Sequence, residues 1–195
     1  MRPDVIAAKE AFIAEVVKIP LEQLVFVDEM GVNLAMTPTM ARAPIGEQAF
    51  GTVPTMYASN VSVAAAVRSD EVVAWYPHDG AVDGDRFVTF LTDRLVPKLR
   101  PGDVVVMDNI RFHKSGVVKA ILKEAGVRIL FIPAYHPEFN AIEEAFSVVK
   151  RALRCMEPRS IYALFEALGA AFAVLTAAKL RPLVSHMLSF AIQPT

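Results

Sequence analysis

Three acidic residues in this chain stand where carboxylates can do metal chemistry: Asp28 in LVFVDEMG, Asp108 in DVVVMDNIRFHK and Glu143 in PAYHPEFNAIEEAF. The first two each follow a run of β-forming residues, and the third falls in the opening turn of a helix. A carboxylate that ends a buried strand is held rigidly where the backbone emerges. Three of them converging make a hard-oxygen site for divalent metal, the kind of site that cuts or joins phosphodiesters. Thirty-four residues lie between Asp108 and Glu143. The reading therefore requires two strand tips and one helix start, distant along the chain, to bring their oxygens within a few ångströms.

Each acid also has a plainer reading. Asp28 follows four apolar residues, where burial is costly unless the charge is paired or metal-bound; beside Gly31 it could instead be a turn aspartate. Asp108 could cap a helix. Glu143 lies three residues after Asn140, the spacing of a capping box, in which it would only satisfy a backbone N–H. Glu144, about 100° further round the helix, is the fallback ligand. Glu29 points to the opposite face of its strand from Asp28 and reads as solvated or salt-bridged.

Basic and imidazole groups cluster around these acids. Asn109, His113 and Lys114 follow Asp108, and His113 could cap the next helix, orient a carboxylate or contact a phosphate. Lys150 and Arg154 lie seven and eleven positions after Glu143, on the same helix face, with Arg151 beside them. A cationic stripe leading away from a carboxylate cluster suits a DNA backbone. His136, in the rigid lead-in Tyr135-His136-Pro137, could also meet substrate, although a loop histidine is more often simply exposed. Trp75 and Phe112 read as packing residues.

The elements that must position these residues follow from pattern. Residues 3–18 read as a helix ended near Pro20. Leu24–Asp28 is a short strand, Gly31 turns the chain, and Asn33–Met36 pairs back as a hairpin. Thr37–Pro54 is a loop. Thr55–Val67 and Glu71–Tyr76 form a second hairpin. Asp83 caps a helix over Gly84–Leu95. Val104–Met107 is a strand covered on both faces, Ser115–Ala125 a helix closed by Gly126, and Arg128–Ile132 another covered strand. A helix runs from Asn140 to about Met156, and a final helical region is interrupted by Pro182. Antiparallel strands followed by alternating helix and strand predict an α/β fold: a ribonuclease-H-like, mixed five-stranded sheet with helices on both faces. In it Asp28 and Asp108 sit on adjacent strands. The expected organisation is an N-terminal helix and linker (1–23), a catalytic domain (24–157) and a C-terminal helical extension packed on it (158–195).

Composition supports a folded domain. With 54% hydrophobic residues and 21% charged ones, global disorder is excluded. One cysteine, Cys155, rules out a disulfide framework within the chain and fits a reducing, cytoplasmic setting. The stretch Ile161–Ala178 is about long enough to cross a bilayer, but Glu166 interrupts it and it reads as a core helix; no membrane partner is expected. Net charge is −1, yet residues 100–160 carry 10 basic and 7 acidic groups while residues 1–99 carry 8 and 13. The basic excess falls on the segment holding Asp108 and Glu143, as a polyanionic substrate requires.

Taken together, VFVDEMG, PGDVVVMDNIRFHKS and LFIPAYHPEFNAIEEAFSVVKRALR resemble the catalytic domain of DDE transposases, specifically the bacterial insertion-sequence branch of the Tc/mariner superfamily. The resemblance runs from about Leu24 to Arg154. It implies Asp28, Asp108 and Glu143 as catalytic ligands of two Mg²⁺ or Mn²⁺ ions, cleavage of double-stranded DNA at transposon ends, and attack of the freed 3′-hydroxyl on target DNA. It also implies a homodimer in the DNA complex. Asn109, His113 and Lys114 match its DN…HK signature. Two departures stand out. Ala141 replaces a proline that usually begins the third-motif helix. Few residues precede the first motif, so a helix-turn-helix DNA-binding module is expected on a separate reading frame, unless the copy is truncated. Other ribonuclease-H-like nucleases, or a transposase-derived protein that binds without catalysis, are the competing expectations.

Overall fold

The computed structural model describes residues 3–54 and 60–192. Five strands, β1 (Leu24–Val32), β2 (Val61–Val67), β3 (Val72–Asp79), β4 (Val104–Met107) and β5 (Arg128–Phe131), form one sheet in the order β3-β2-β1-β4-β5. The pairs β1–β2 and β2–β3 are antiparallel, while β1–β4 and β4–β5 are parallel. The α-helices among the described residues are α1 (Pro3–Val16), α2 (Gly84–Phe90), α3 (Gly116–Glu124), α4 (Ala141–Met156), α5 (Ile161–Ala173) and α6 (Ala177–Ile192). This is the mixed sheet with helices on both faces that the sequence predicts.

Period-two alternation divides the strand side chains between two cores. Leu24, Phe26, Met30 and Val32 of β1 and Val106 of β4 join Phe12, Phe146 and Leu168 under α1, α4 and α5. Val25, Val27, Val105 and Met107 face the other way, against Phe87 and Phe90 of α2 and Leu122 of α3. Burial on both faces is why LVFV and VVVM are unbroken apolar runs. Each such side chain contributes about 1.5–3 kcal/mol through removal from water.

Several local expectations are corrected. Gly31 does not turn the chain: β1 continues to Val32, and its antiparallel partner is β2, not Asn33–Met36. Met30 and Val32 are buried, each opposite a valine of β2, and their burial carries the strand past the glycine. The second hairpin is β2–β3; its predicted start, residues 55–59, lies outside the described residues. The helix begun by Asp83, whose side chain accepts from the Arg86 N–H, ends as α2 and passes into a wider π turn over Leu91–Leu95. β5 is only half-buried, being a sheet edge. Pro182 lies inside α6, and the break falls instead between Ala173 and Ala177, where the two helices bend by 74°. Leu180, Val184 and Met187 form one buried stripe that anchors α6 across the proline. No single helix among the described residues is long and apolar enough to cross a membrane.

The end of the sheet away from the acids is tied by a buried ion pair. Arg68, directly after β2, is fully buried and donates to Asp103 Oδ2 at 2.5 Å and to Glu71 Oε1 at 2.6 Å. Asp103 also accepts from the Arg100 N–H at 2.7 Å. The β2–β3 turn is thereby fastened to the start of β4.

Candidate functional site

The parallel pairing of β1 with β4 ends at Val27 opposite Met107. The next residue on each strand is one of the expected acids, so Asp28 and Asp108 lie side by side. Asp28 is not at a strand tip, as expected, because β1 runs on beside β2. It sits where β1 and β4 part, and that divergence opens a cavity of about 290 Å³. Asp28, Asp108 and Glu143 all line it, together with Asn109, His136 and Asn140.

Asp28 is tightly held. Its Oδ1 accepts from the Glu29 N–H at 2.8 Å, and its Oδ2 accepts from Asn140 Nδ2 at 2.6 Å. Burial, with the charges of Glu29, Asp108 and Glu143 adding to it, pushes the Asp28 carboxyl up to about 7. Asp28 therefore already feels the charge of the other two acids.

Asp108 is held from the other side of the sheet. Its Oδ1 pairs with His113 Nδ1 at 2.5 Å, and His113 Nε2 pairs with Glu29 Oε1 at 3.1 Å. Glu29 thus points away from Asp28, as strand alternation predicts, and is ion-paired. Burial pulls the His113 pKa down, but the bonds to Asp108 and Glu29 outweigh it and raise the group to about 9. A charged imidazolium joins the two carboxylates at neutral pH. His113 has no exposed surface to offer DNA, in contrast to the contact expected of it. Its partners are the acids.

Glu143 lies in the first turn of α4 with an exposed side chain. The capping box that is the alternative reading of Glu143 does not form: Asn140 precedes α4 but makes no side-chain cap bond. Glu144, the alternative ligand, bonds His186 Nδ1 of α6 at 2.8 Å and does not line the cavity. His136 is 4% exposed, where an exposed loop position was expected, and its Nδ1 bonds Glu138 Oε1 at 2.7 Å. Tyr135 has φ 66°, a left-handed conformation rare for an aromatic residue, and lines the cavity. Nothing in the sequence marks that backbone, nor the contact of Asn140 with Asp28.

Asn109, Lys114 and Arg151 are exposed, and Lys150 and Arg154 are half-buried along α4. None of these four cations forms an ion pair with the described residues.

The donor set suits a hard divalent cation: carboxylate oxygens from three elements face one cavity, with no sulfur among them. Among the described residues, however, no three acidic, histidine or cysteine side chains are grouped as a ready-made metal cage. Asp28 and Asp108 are fixed by hydrogen bonds, while the Glu143 side chain has none among the described residues.

The family model described as DDE superfamily endonuclease matches residues 23–164. No curated protein matches the sequence significantly. Among solved structures, the fold is similar to the Mos1 transposase paired-end complex with left transposon end, with a TM-score of 0.81 at 15% identity over 98% of this chain and 61% of that chain. It is also similar to the catalytic domain of Mos1 mariner transposase, with a TM-score of 0.74 at 13% identity over 98% of this chain and 92% of that one. A third likeness is to the mariner Mos1 paired end complex with Mg, with a TM-score of 0.72 at 17% identity over 98% of this chain and 62% of that one. This chain thus spans about three fifths of the Mos1 chain in its paired-end complexes, 61% in the first. At such identities the likeness is one of fold, here the ribonuclease-H-like fold.

Proposed function

The chain belongs to the DDE superfamily endonucleases, and from that membership we propose that it is the catalytic domain of a transposase, of the bacterial insertion-sequence branch of the Tc/mariner group. It cuts DNA strands at transposon ends and transfers the freed 3′ ends to target DNA. One observation carries this reading: Asp28, Asp108 and Glu143, from two strands and a helix, line a single cavity at the point where β1 and β4 diverge.

Asp28, Asp108 and Glu143 would hold the divalent cations, two Mg²⁺ or Mn²⁺ ions. These supply charge neutralisation at the phosphate and lower the pKa of the attacking water or 3′-hydroxyl. The protein's part is positioning. The Glu29 N–H and Asn140 fix Asp28, and His113 fixes Asp108. The exposed Glu143 side chain would complete the ligand set. Asn109 and Lys114, next to the second acid, and Lys150, Arg151 and Arg154 along α4 contact the DNA backbone. His136, buried on the cavity wall, faces the reacting end rather than the duplex. The solved Mos1 complexes contain paired transposon ends, and one contains Mg. By analogy the partner here is double-stranded DNA bound by a homodimer, with end recognition supplied by a helix-turn-helix module.

The test is strand cleavage of supercoiled plasmid in Mg²⁺ or Mn²⁺, run beside an RNA–DNA hybrid. Wild-type protein should nick DNA only with the metal present, and Asp108→Ala or Glu143→Ala should lose that activity while melting as folded proteins. Preferential cutting of the hybrid would identify a different ribonuclease-H-like nuclease. Substantial metal-dependent cleavage by either variant would overturn the site.

A further inference from the structure

Asn140 stands where a helix cap belongs, and its side chain does something else. Its backbone is extended, at φ −105° and ψ 91°, as a residue preceding a helix should be. The usual bond from the side-chain oxygen to an N–H of the first turn is missing. The Glu143 N–H instead bonds the Asn140 backbone carbonyl at 3.1 Å. Three other helices of this chain are capped in the ordinary way: Asp83, Ser115 and Ser160 accept from the first turns of α2, α3 and α5.

The freed amide is spent on Asp28. Nδ2 donates to Asp28 Oδ2 at 2.6 Å, a charge-assisted bond across 112 residues of sequence. With the Glu29 N–H on Oδ1, each oxygen of Asp28 has one fixed donor, so the plane of the carboxylate is set. Asn140 is 5% exposed and lines the cavity, and its Oδ1 is buried with no hydrogen-bond partner among the described residues. Asn140 also lies three residues before Glu143, so the same contact fixes the start of α4 against β1 and sets the span between the first and third acids.

We propose that Asn140 is a positioning residue of this site: its amide N–H holds Asp28 in the orientation a divalent cation needs. This rests on the functional reading above. Groups that orient a metal ligand change affinity by about ten- to a hundred-fold when removed.

The experiment is titration of the folded protein with Mn²⁺ by calorimetry, alongside thermal melting, for the wild type and for Asn140→Ala, Asn140→Ser and Ser160→Ala. Serine is a good helix cap but too short to restore the bond to Asp28. Asn140→Ser should therefore melt near the wild type yet bind Mn²⁺ at least about ten-fold more weakly. Asn140→Ala should show the same weakening. Ser160→Ala, which removes a true cap, should melt lower with unchanged Mn²⁺ affinity. Wild-type affinity in Asn140→Ser would overturn the inference and leave the functional reading standing. Absence of Mn²⁺ binding by the wild type, with or without DNA, would overturn both. Should Asn140→Ala fail to fold, Asn140→Ser alone decides.

Discussion

His113 Nδ1 lies 2.5 Å from Asp108 Oδ1, and the imidazole that makes this bond has no exposed surface. The same ring reaches Glu29 on the neighbouring strand through Nε2. A five-residue step in sequence thus becomes a clamp that joins β1 to the end of β4 on the face away from Asp28. The Asp108 carboxylate is thereby oriented by a buried imidazole.

Removing that clamp should cost both order and activity. His113→Ala leaves Asp108 and Glu29 without their shared partner, and hydrogen bonds to charged groups contribute roughly 1.5–3 kcal/mol. Because Asp108 is about a third exposed (36%), the low end of that range is expected. Urea denaturation should show the destabilisation, and Mn²⁺ affinity should fall with it. A variant as stable as the wild type with unchanged metal affinity would show that the clamp is idle.

The metal-free protein should become less stable as pH rises. Asp28 titrates at about 7 when folded against an ordinary value of 3.8, so ionising it costs stability as pH climbs from about 4 through 7. His113 is raised to about 9 from 6.5; its charged form stabilises the fold fully below 6.5, and that contribution is lost as pH rises through 9. Both act in one direction. Melting temperatures in chelator should therefore drop between pH 5.5 and 9, and less steeply in Asp28→Asn. Saturating Mg²⁺ should flatten the decline. A Tm that climbs over this range in chelator would refute the assignment.

The adjacent glutamates of α4 should separate cleanly. Glu143 opens onto the cavity, whereas Glu144 is bonded to His186 of α6. Glu143→Gln should reduce metal-dependent cleavage by at least about a hundred-fold, since losing a ligand should cost no less than the upper range for losing a group that orients one. Glu144→Gln should retain cleavage and melt slightly lower. Equal impairment of both variants would mean that the helix start, and not one carboxylate, is what matters.

The cations of α4 should act through salt. Replacing both Lys150 and Arg154 with alanine should weaken duplex binding and make the slope of log affinity against log salt shallower, by about one for each phosphate no longer neutralised. Fluorescence anisotropy at several salt concentrations measures this. An unchanged slope would place the DNA elsewhere.

How much of the fold is legible in the residue order varies by element. The apolar runs ending at Val27 and Met107 are legible because strands buried on both faces admit little else. Asp83 as a cap is legible because capping is local. The hairpin expected at Gly31 fails because a glycine weighed alone says nothing of its neighbours. Met30 and Val32, two buried residues in step with Phe26, extend the strand through it. Pro182 misleads for a similar reason, since the stripe Leu180, Val184 and Met187 outweighs the bond the proline removes.

The sequence by itself determined that two acids follow covered strands, that a third opens a helix, and that cations share its face. Those are properties of runs and periods, which local sterics and hydrophobic burial write into the residue order. Only the tertiary structure decided which partners those acids take. Asn140 leaves its own helix for Asp28, His113 turns inward between Asp108 and Glu29, and Glu144 goes to His186. A side-chain hydrogen bond depends on where two distant backbones come to rest, and no local pattern encodes that position.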